Sequence, residues 1–386
     1  MRRLPLPLLA LLALSACNDP AGLPSAPRLH PAIVDLQAGA GTSCALIEDG
    51  SLWCWGLNPG EFQNGDPTPV RIAIPGPVTS FALARGGYSL CATDSAGAAW
   101  CQGYWFRIDQ GASYGAVPTI LEDTLPLGGL STYFGHACGL MLNGEAVCWG
   151  SNLFGKRGQG IPDTLSLGDA TPNRVAGGNQ FRSITAGGDH TCGIRVDGTL
   201  ACWGLEGLVG SDWAQVLTGA ACFYDDLTCV WTPAILALSQ VEQVSAGAIH
   251  TCARAGAVWC WGGFGGTPLG DGTGLPHLRP HQVQLPESAI DITAGGRHSC
   301  AVGRSGRAYC WGVGPETGHH GTLGRPAAVE TDLRFTRLSA GSSHTCGVAE
   351  DQAVYCWGSS YEGELGTADT AASYVPLEVP RPWESN

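Results

Sequence analysis

Seven cysteine pairs, each with its members eight or ten residues apart, recur along this chain at nearly regular steps. Their first members are Cys44, Cys91, Cys138, Cys192, Cys252, Cys300 and Cys346, separated by 47, 47, 54, 60, 48 and 46 residues. Each pair sits in similar local text, as in GTSCALIEDGSLWCWG, GHACGLMLNGEAVCWG and DHTCGIRVDGTLACWG. Two further markers keep the same period. An Ala-Gly pair stands six residues before the first cysteine, as at Ala186-Gly187, Ala246-Gly247, Ala294-Gly295 and Ala340-Gly341, with Arg85-Gly86 and Thr132-Tyr133 in its place in units two and three. A proline precedes an apolar stretch late in each unit: Pro69, Pro118, Pro172, Pro233, Pro280, Pro326 and Pro376. A unit of this length cannot bury its own apolar face, so the units must stack on one another.

Within a unit the centre reads as a hairpin. Short apolar runs flank Asp49-Gly50, Asn143-Gly144 and Asp197-Gly198, which are turn signatures. Cys44 and Cys54 face each other directly only across a three-residue loop, whose last residue is left-handed. Gly50, Gly97, Gly144, Gly198 and Gly306 occupy that position; Gln352 and the shortened turn around Gly256 are the irregular cases. With 57 Gly and 25 Pro in 386 residues, long helices are disfavoured, and 44% hydrophobic content excludes a disordered chain. Four strand candidates lie in each unit: before Ala-Gly, around His-Thr-Cys, around Cys-Trp-Gly, and after the late proline. That proline places the fourth at an outer edge, where a missing donor costs little. The expectation is an all-β, seven-bladed β-propeller of about 47-residue repeats over residues 32–386, with four short antiparallel strands per blade.

The units run HTC, then Ala or Gly and a hydrophobic residue, then DG-x-hydrophobic-x-CWG. Weak G-x-LG remnants follow, at Glu364-Leu365-Gly366 and Leu269-Gly270-Asp271-Gly272. They resemble regulator of chromosome condensation repeats over about residues 33–380. The resemblance implies a seven-bladed propeller that binds proteins with its faces. Cysteines at two variable positions look like a secreted bacterial branch. The repeat histidine is present as His136, His190, His250, His298 and His344, and the repeat tryptophan as Trp55, Trp149, Trp203, Trp261, Trp311 and Trp357. Units one and two lack the histidine, and Gln102 replaces the tryptophan in unit two.

Residues 1–16 carry two arginines and then about a dozen apolar residues, the layout of a secretory signal and too short to span a bilayer. Leu14-Ser15-Ala16-Cys17 resembles the lipobox of bacterial lipoproteins, which implies cleavage before Cys17 and acylation of that residue. An ordinary signal peptide with a chance cysteine is the alternative. Asn18 resembles outer-membrane sorting. Residues 17–31 then form the lipid anchor and a Pro-rich spacer, ~40 Å long. The expected location is a bacterial cell envelope, at the outer membrane, on its periplasmic side or surface. Membrane contact would run through the N-terminal acyl chains only. Setting Cys17 aside leaves 17 − 1 = 16 cysteines. In an exported chain this parity argues for eight disulfides: Cys44–Cys54, Cys91–Cys101, Cys138–Cys148, Cys192–Cys202, Cys222–Cys229, Cys252–Cys260, Cys300–Cys310 and Cys346–Cys356.

A formal net charge of −13, with Lys156 the sole lysine, excludes a nucleic-acid partner. No metal is expected, because cysteine pairs on separate blades bring no four ligands together. The five repeat histidines are read as hydrogen-bonded within or between blades, not as a metal ring, and His319-His320 as surface residues. Gly150 to Arg157 nearly matches a phosphate loop, but Arg157 stands where Ser or Thr is required. Trp105, Trp213, Trp231 and Trp383 lie off the repeat position and are candidates for exposed contact. The longest unit contains residues 205–233. There a Cys222–Cys229 staple would hold Phe223, Tyr224, Asp225 and Asp226 on a small loop; with Trp213 these are the candidate partner-binding residues. No catalytic motif and no cofactor motif is present. The function expected is a non-catalytic, monomeric binding scaffold for an unknown protein or cell-surface ligand. The alternatives are an extracytoplasmic polysaccharide hydrolase or lyase, and a structural spacer.

Overall fold

A computed structural model describes residues 31–57, 65–86, 89–103, 115–120, 126–160, 169–211, 222, 228–263 and 268–384. Seven four-stranded antiparallel sheets follow one another in chain order, spanning 33–71, 78–120, 127–174, 181–235, 243–283, 289–328 and 335–378. Blade 1 consists of β1 (Ile33–Ala38), β2 (Thr42–Ile47), β3 (Leu52–Gly56) and β4 (Asp66–Arg71), from axis to rim. Every blade is one contiguous stretch of chain, and blade 7 packs directly on blade 1 to close the ring. Closure uses no shared strand.

The hairpin turns follow from the cysteines. Cys44 stands directly opposite Cys54 with Cα atoms 4.1 Å apart, and the two are bonded. Ile47 N–H donates to Ser51 O (2.9 Å), leaving Glu48, Asp49 and Gly50 as the loop, with Gly50 at φ 81°. Gln352 holds the same left-handed conformation at φ 69° without the advantage of glycine. In blade 5 the turn tightens, so that Ala255 faces Ala257 around Gly256. Disulfides also join Cys91 to Cys101, Cys138 to Cys148, Cys192 to Cys202, Cys222 to Cys229, Cys252 to Cys260, Cys300 to Cys310 and Cys346 to Cys356.

The repeat proline requires a correction: it lies inside the fourth strand, not before it. Cys54 pairs with Val70 but Gly56 with Asp66, so the outer strand bulges by two residues, and Pro69 sits in the bulge. Pro280, Pro326 and Pro376 occupy the same place. A bulge leaves residues outside the ladder, so a missing N–H loses no bond there.

Adjacent blades are joined by a recurring four-group interlock. His344 Nε2 lies 2.7 Å from Ser43 Oγ of the next blade; Ser43 donates to the Glu364 carbonyl (3.1 Å), which also accepts Trp55 Nε1–H (3.0 Å). The hydroxyl proton is used on the carbonyl, so the imidazole donates through Nε2–H. The same set links His136, Thr191, Lys156 O and Trp203, and again His190, Thr251, Leu208 O and Trp261. It recurs in His250, Ser299, Pro268 O and Trp311, and in His298, Thr345, Glu316 O and Trp357. These indoles are the largest fully buried side chains. The Ala-Gly marker serves the imidazole: a Cβ on Gly187 would fall 2.4 Å from Cε1 of His190.

Around the axis a second ring operates. Oxygens of Ser131, Thr185, Ser245, Thr293, Ser339 and Gln37 each accept a backbone N–H from the next blade: Ala186, Ala246, Ala294, Ala340, Ala38 and Leu83. Ala82 holds the equivalent place in blade 2, by its pairing with Cys91, and has no oxygen to offer. Blade 2 also places Ser89, Leu90 and Gln102 where the histidine, hydroxyl and indole belong. Buried Ser89 Oγ and Trp149 Nε1 have no partner among the described residues, and among those residues blade 2 is the least tied of the seven.

Candidate functional site

The two ends of the ring differ. At one end lie the hairpin turns, such as 48–50 and 196–198, and blade-to-blade connections of at most seven residues. At the other the third strands end and the fourth strands begin, and the described parts of the links between them, such as 151–160, 206–211, 268–276 and 359–372, lie there. Conserved strand geometry and variable connections are therefore segregated, and recognition surfaces of rigid scaffolds sit on such connections. Exposed Phe134, Leu153, Leu275 and Tyr361 lie at the long-loop end; Leu142 and Val196 protrude singly from hairpin turns.

The 206–228 connection opens with a four-residue helix, α1 (Glu206–Val209), ending on left-handed Gly210. The Cys222–Cys229 bridge packs on Trp231, Phe154 and Leu205, which anchors the far end of the insertion to the blades. Trp213, Phe223, Tyr224, Asp225 and Asp226 lie outside the described residues, as do Cys17, the leader and Trp105. Trp231 and Trp383 are not exposed contacts: both are buried, Trp383 against Trp53 with ring centroids 5.9 Å apart. Beside Gly210 a hollow of about 400 Å³ opens between blades 4 and 5, walled by Leu236, Leu238, Trp259 and Pro280.

The axial channel holds a polar cavity of about 280 Å³. Its carboxylates are committed to the ring. Asp35 accepts from Arg337 Nη1 (3.2 Å) and Gln37 Nε2 (2.9 Å); Asp291 accepts from Gln243 Nε2 (2.6 Å) and Leu338 N–H (2.7 Å). Burial pushes the Asp291 carboxyl upward against those donors and Arg337. Arg85, from under-tied blade 2, crosses the channel and donates to Ala294 O (3.0 Å). Burial lowers its pKa. No tryptophan lines the cavity, so the aromatic and acidic mouth expected of a polysaccharide-cleaving channel is not formed by the described residues.

The repeat histidines form inter-blade links and not a ligand ring. Burial lowers His190, His250 and His344 to about 3, and His136 and His298 well below 6.5. Among the described residues the buried Nδ1 of each has no hydrogen-bond partner, and at His136 alone a backbone carbonyl, that of Phe134, acts to raise the pKa against burial. Lys156, in the near-match to a phosphate loop, is turned inward. Its ammonium contacts Gly188 O (3.1 Å) and Asp189 Oδ1 (3.4 Å), while its carbonyl serves the interlock. His319 bonds Ala328 O (2.9 Å), and His320 lies against Tyr374 with ring planes tilted by 33°. The fold also gathers three side chains that the sequence reading passed over: Asp271, His277 and His281.

A family model for the regulator of chromosome condensation (RCC1) repeat matches residues 33–62, 130–156, 181–207, 289–314 and 335–364. These segments cover inner strands of blades 1, 3, 4, 6 and 7. The chain is 24% identical over 298 residues to the ultraviolet-B receptor UVR8 of Arabidopsis thaliana, covering 72% of this chain and 65% of the receptor. It is 29% identical over 212 residues to the mitochondrial RCC1 domain-containing protein RUG3 of the same plant, covering 52% and 43%. The chain thus spans less than two thirds of the length of either relative. Among solved structures, Prp20p from Saccharomyces cerevisiae matches with a TM-score of 0.72 at 19% identity, over 92% of this chain and 89% of that one. Repeat text, blade number and strand order agree: the chain carries regulator of chromosome condensation (RCC1) repeats.

Proposed function

We propose that this protein is a non-catalytic, lipid-anchored binding scaffold of a bacterial cell envelope, placed at the outer membrane by acyl chains on Cys17. It holds a protein or cell-surface ligand on its long-loop face. The observation that carries the reading is the segregation of the long connections to one end of a ring whose blades are stapled internally and interlocked side to side. A stiff frame lowers the ordering cost of binding by the loops it carries. The pinned 206–228 connection is the largest such element. The engaged state of Asp35 and Asp291 favours a scaffold over a channel hydrolase. By analogy, the yeast relative Prp20p was described with its binding to Gsp1p and histones; for this chain the partner is an envelope component.

Expression in a bacterium fed an alkyne-bearing fatty acid should label the full chain and place it in the membrane fraction, and Cys17→Ala should abolish both. Immobilised mature protein should then retain an envelope component. Replacing 211–228 by Gly-Ser, with Cys229→Ser, should lower capture at least about tenfold, as expected where few residues carry most of the binding energy. Undiminished capture after equivalent replacement of the other long connections would remove this face from the account.

A further inference from the structure

We infer that blade 5 carries a binding site for a divalent transition ion of the zinc type, held by Asp271, His277 and His281. The inference is independent of the scaffold reading, since it concerns one blade and needs no partner. In a regular strand, residues four apart stand roughly 13 Å apart. The bulge in the outer strand of blade 5 (His277–Val283) removes that separation, because Gly262 pairs with His277 while Cys260 pairs with His281. The two imidazoles end up stacked, with centroids 4.6 Å apart and planes 11° from parallel.

The third ligand comes from the link between third and fourth strands. There the G-x-LG remnant closes on the next blade, with a Cβ on Gly270 falling 2.8 Å from Trp311 Nε1. The next residue, Asp271, is turned inward: its side chain is 3% exposed, and Oδ2 lies 2.6 Å from His277 Nε2. Thr273 fixes the carboxylate from behind, through N–H to Oδ1 (3.0 Å) and Oγ1–H to Oδ2 (2.5 Å). The three ligand atoms all lie within 4.8 Å of one another. Bonds of ~2.0–2.1 Å to a tetrahedral ion need ligand atoms roughly 3.3 Å apart, so the ion replaces the proton shared by Asp271 and His277, that pair opens by about 0.7 Å from its 2.6 Å separation, and rotation of the exposed His281 ring completes the set.

Two imidazole nitrogens and one carboxylate oxygen suit zinc, cobalt, nickel or copper, and not calcium or magnesium, which take oxygen ligands. The Thr273 hydrogen bonds supply the outer support that such ligands use. A three-ligand set leaves at least one coordination position for water or for a partner's side chain. The bulge is common to all blades, but the ligands are not. The equivalent pairs are Asp66 and Val70, Gly115 and Thr119, Asp169 and Asn173, Val230 and Ala234, Leu323 and Ala327, and Ser373 and Leu377. The imidazole pair is therefore not a by-product of the repeat.

The test uses the mature chain with Cys17→Ser, disulfides intact and no polyhistidine tag. Titration with Co²⁺ should give the visible absorption of a low-symmetry site, saturating at one ion per chain, and Zn²⁺ should displace it. His281→Ala and Asp271→Asn should each weaken binding at least about tenfold, since even loss of an outer support costs that much. The double variant His319→Ala, His320→Ala should bind as the parent does. Zn²⁺ should raise the unfolding temperature of the parent but not of His281→Ala, whose metal-free unfolding temperature should equal the parent's. Absent uptake, uptake unchanged in His281→Ala, or uptake lost with His319 and His320 would each overturn the assignment.

Discussion

Reducing the disulfides is expected to abolish the cooperative fold. Seven bridges close hairpins with sequence separations of 10 or 8 residues, and Cys222–Cys229 joins residues 7 apart. On the chain-entropy model each removes about 2–3 kcal/mol of freedom from the unfolded chain. Together they contribute roughly 16–24 kcal/mol, more than the 5–15 kcal/mol by which a typical domain is stable. The in-blade sulfurs are almost wholly buried, so reduction of the native ring requires opening and will be slow without denaturant. Chain reduced and alkylated in urea, then returned to buffer, should show no cooperative thermal transition by circular dichroism. Cys346→Ala with Cys356→Ala should cost about 2–3 kcal/mol on the same scale. A reduced protein that melts cooperatively within a few degrees of the oxidised one would contradict the staple as the main source of stability.

Acid is expected to destabilise the propeller well above the range where carboxylates usually titrate. The unfolded chain protonates its histidines below about pH 6.5. In the fold His190, His250 and His344 take a proton only near pH 3, and His136 and His298 also well below 6.5. The unfolded state therefore binds more protons between those limits, and stability is lost as pH falls, by about 1.4 kcal/mol per pH unit for each histidine. Three carboxyls act in the opposite sense. Burial raises Glu316 to about 7 and also raises Glu364 and Asp291, so these take protons first in the fold. Five histidines against Glu316, with a smaller offset from Glu364 and Asp291, leave a net loss of roughly 3–5 kcal/mol per pH unit between pH 6.5 and 4.5. The urea midpoint should fall accordingly. His250→Gln, which retains a donor toward Ser299, should reduce the slope by about one proton. A midpoint that holds or rises at pH 4.5 would contradict neutral, buried imidazoles.

The features legible in the sequence are those that repeat or are local. Blade number follows from the first cysteines, and the turn from the spacing of Cys44 and Cys54 around Gly50. The interlocks were hidden for a physical reason. His344, Ser43, Glu364 and Trp55 meet across the ring closure, and the Glu364 contribution is a carbonyl, which no residue type announces. A bulge inside a ladder leaves the same text as a proline before a strand, so the sequence does not distinguish the two places for Pro69. Trp231 and Trp383 looked free because they break the repeat, yet irregular residues can fill irregular space: one covers the Cys222–Cys229 bridge, the other Trp53. Asp271, His277 and His281 escaped notice because H-x3-H in a strand reads as two distant side chains until the bulge is known.

In the proposed function, binding belongs to the long-loop face of a rigid ring. Hydrogen exchange of the mature protein, with and without the captured envelope component, separates the two faces. Protection is predicted in 206–228, 263–276, 314–321 and 359–372, with none at the turns 48–50, 142–144, 196–198 and 304–306. Protection confined to those hairpin turns, with the long connections exchanging as freely as in the unbound protein, would contradict it.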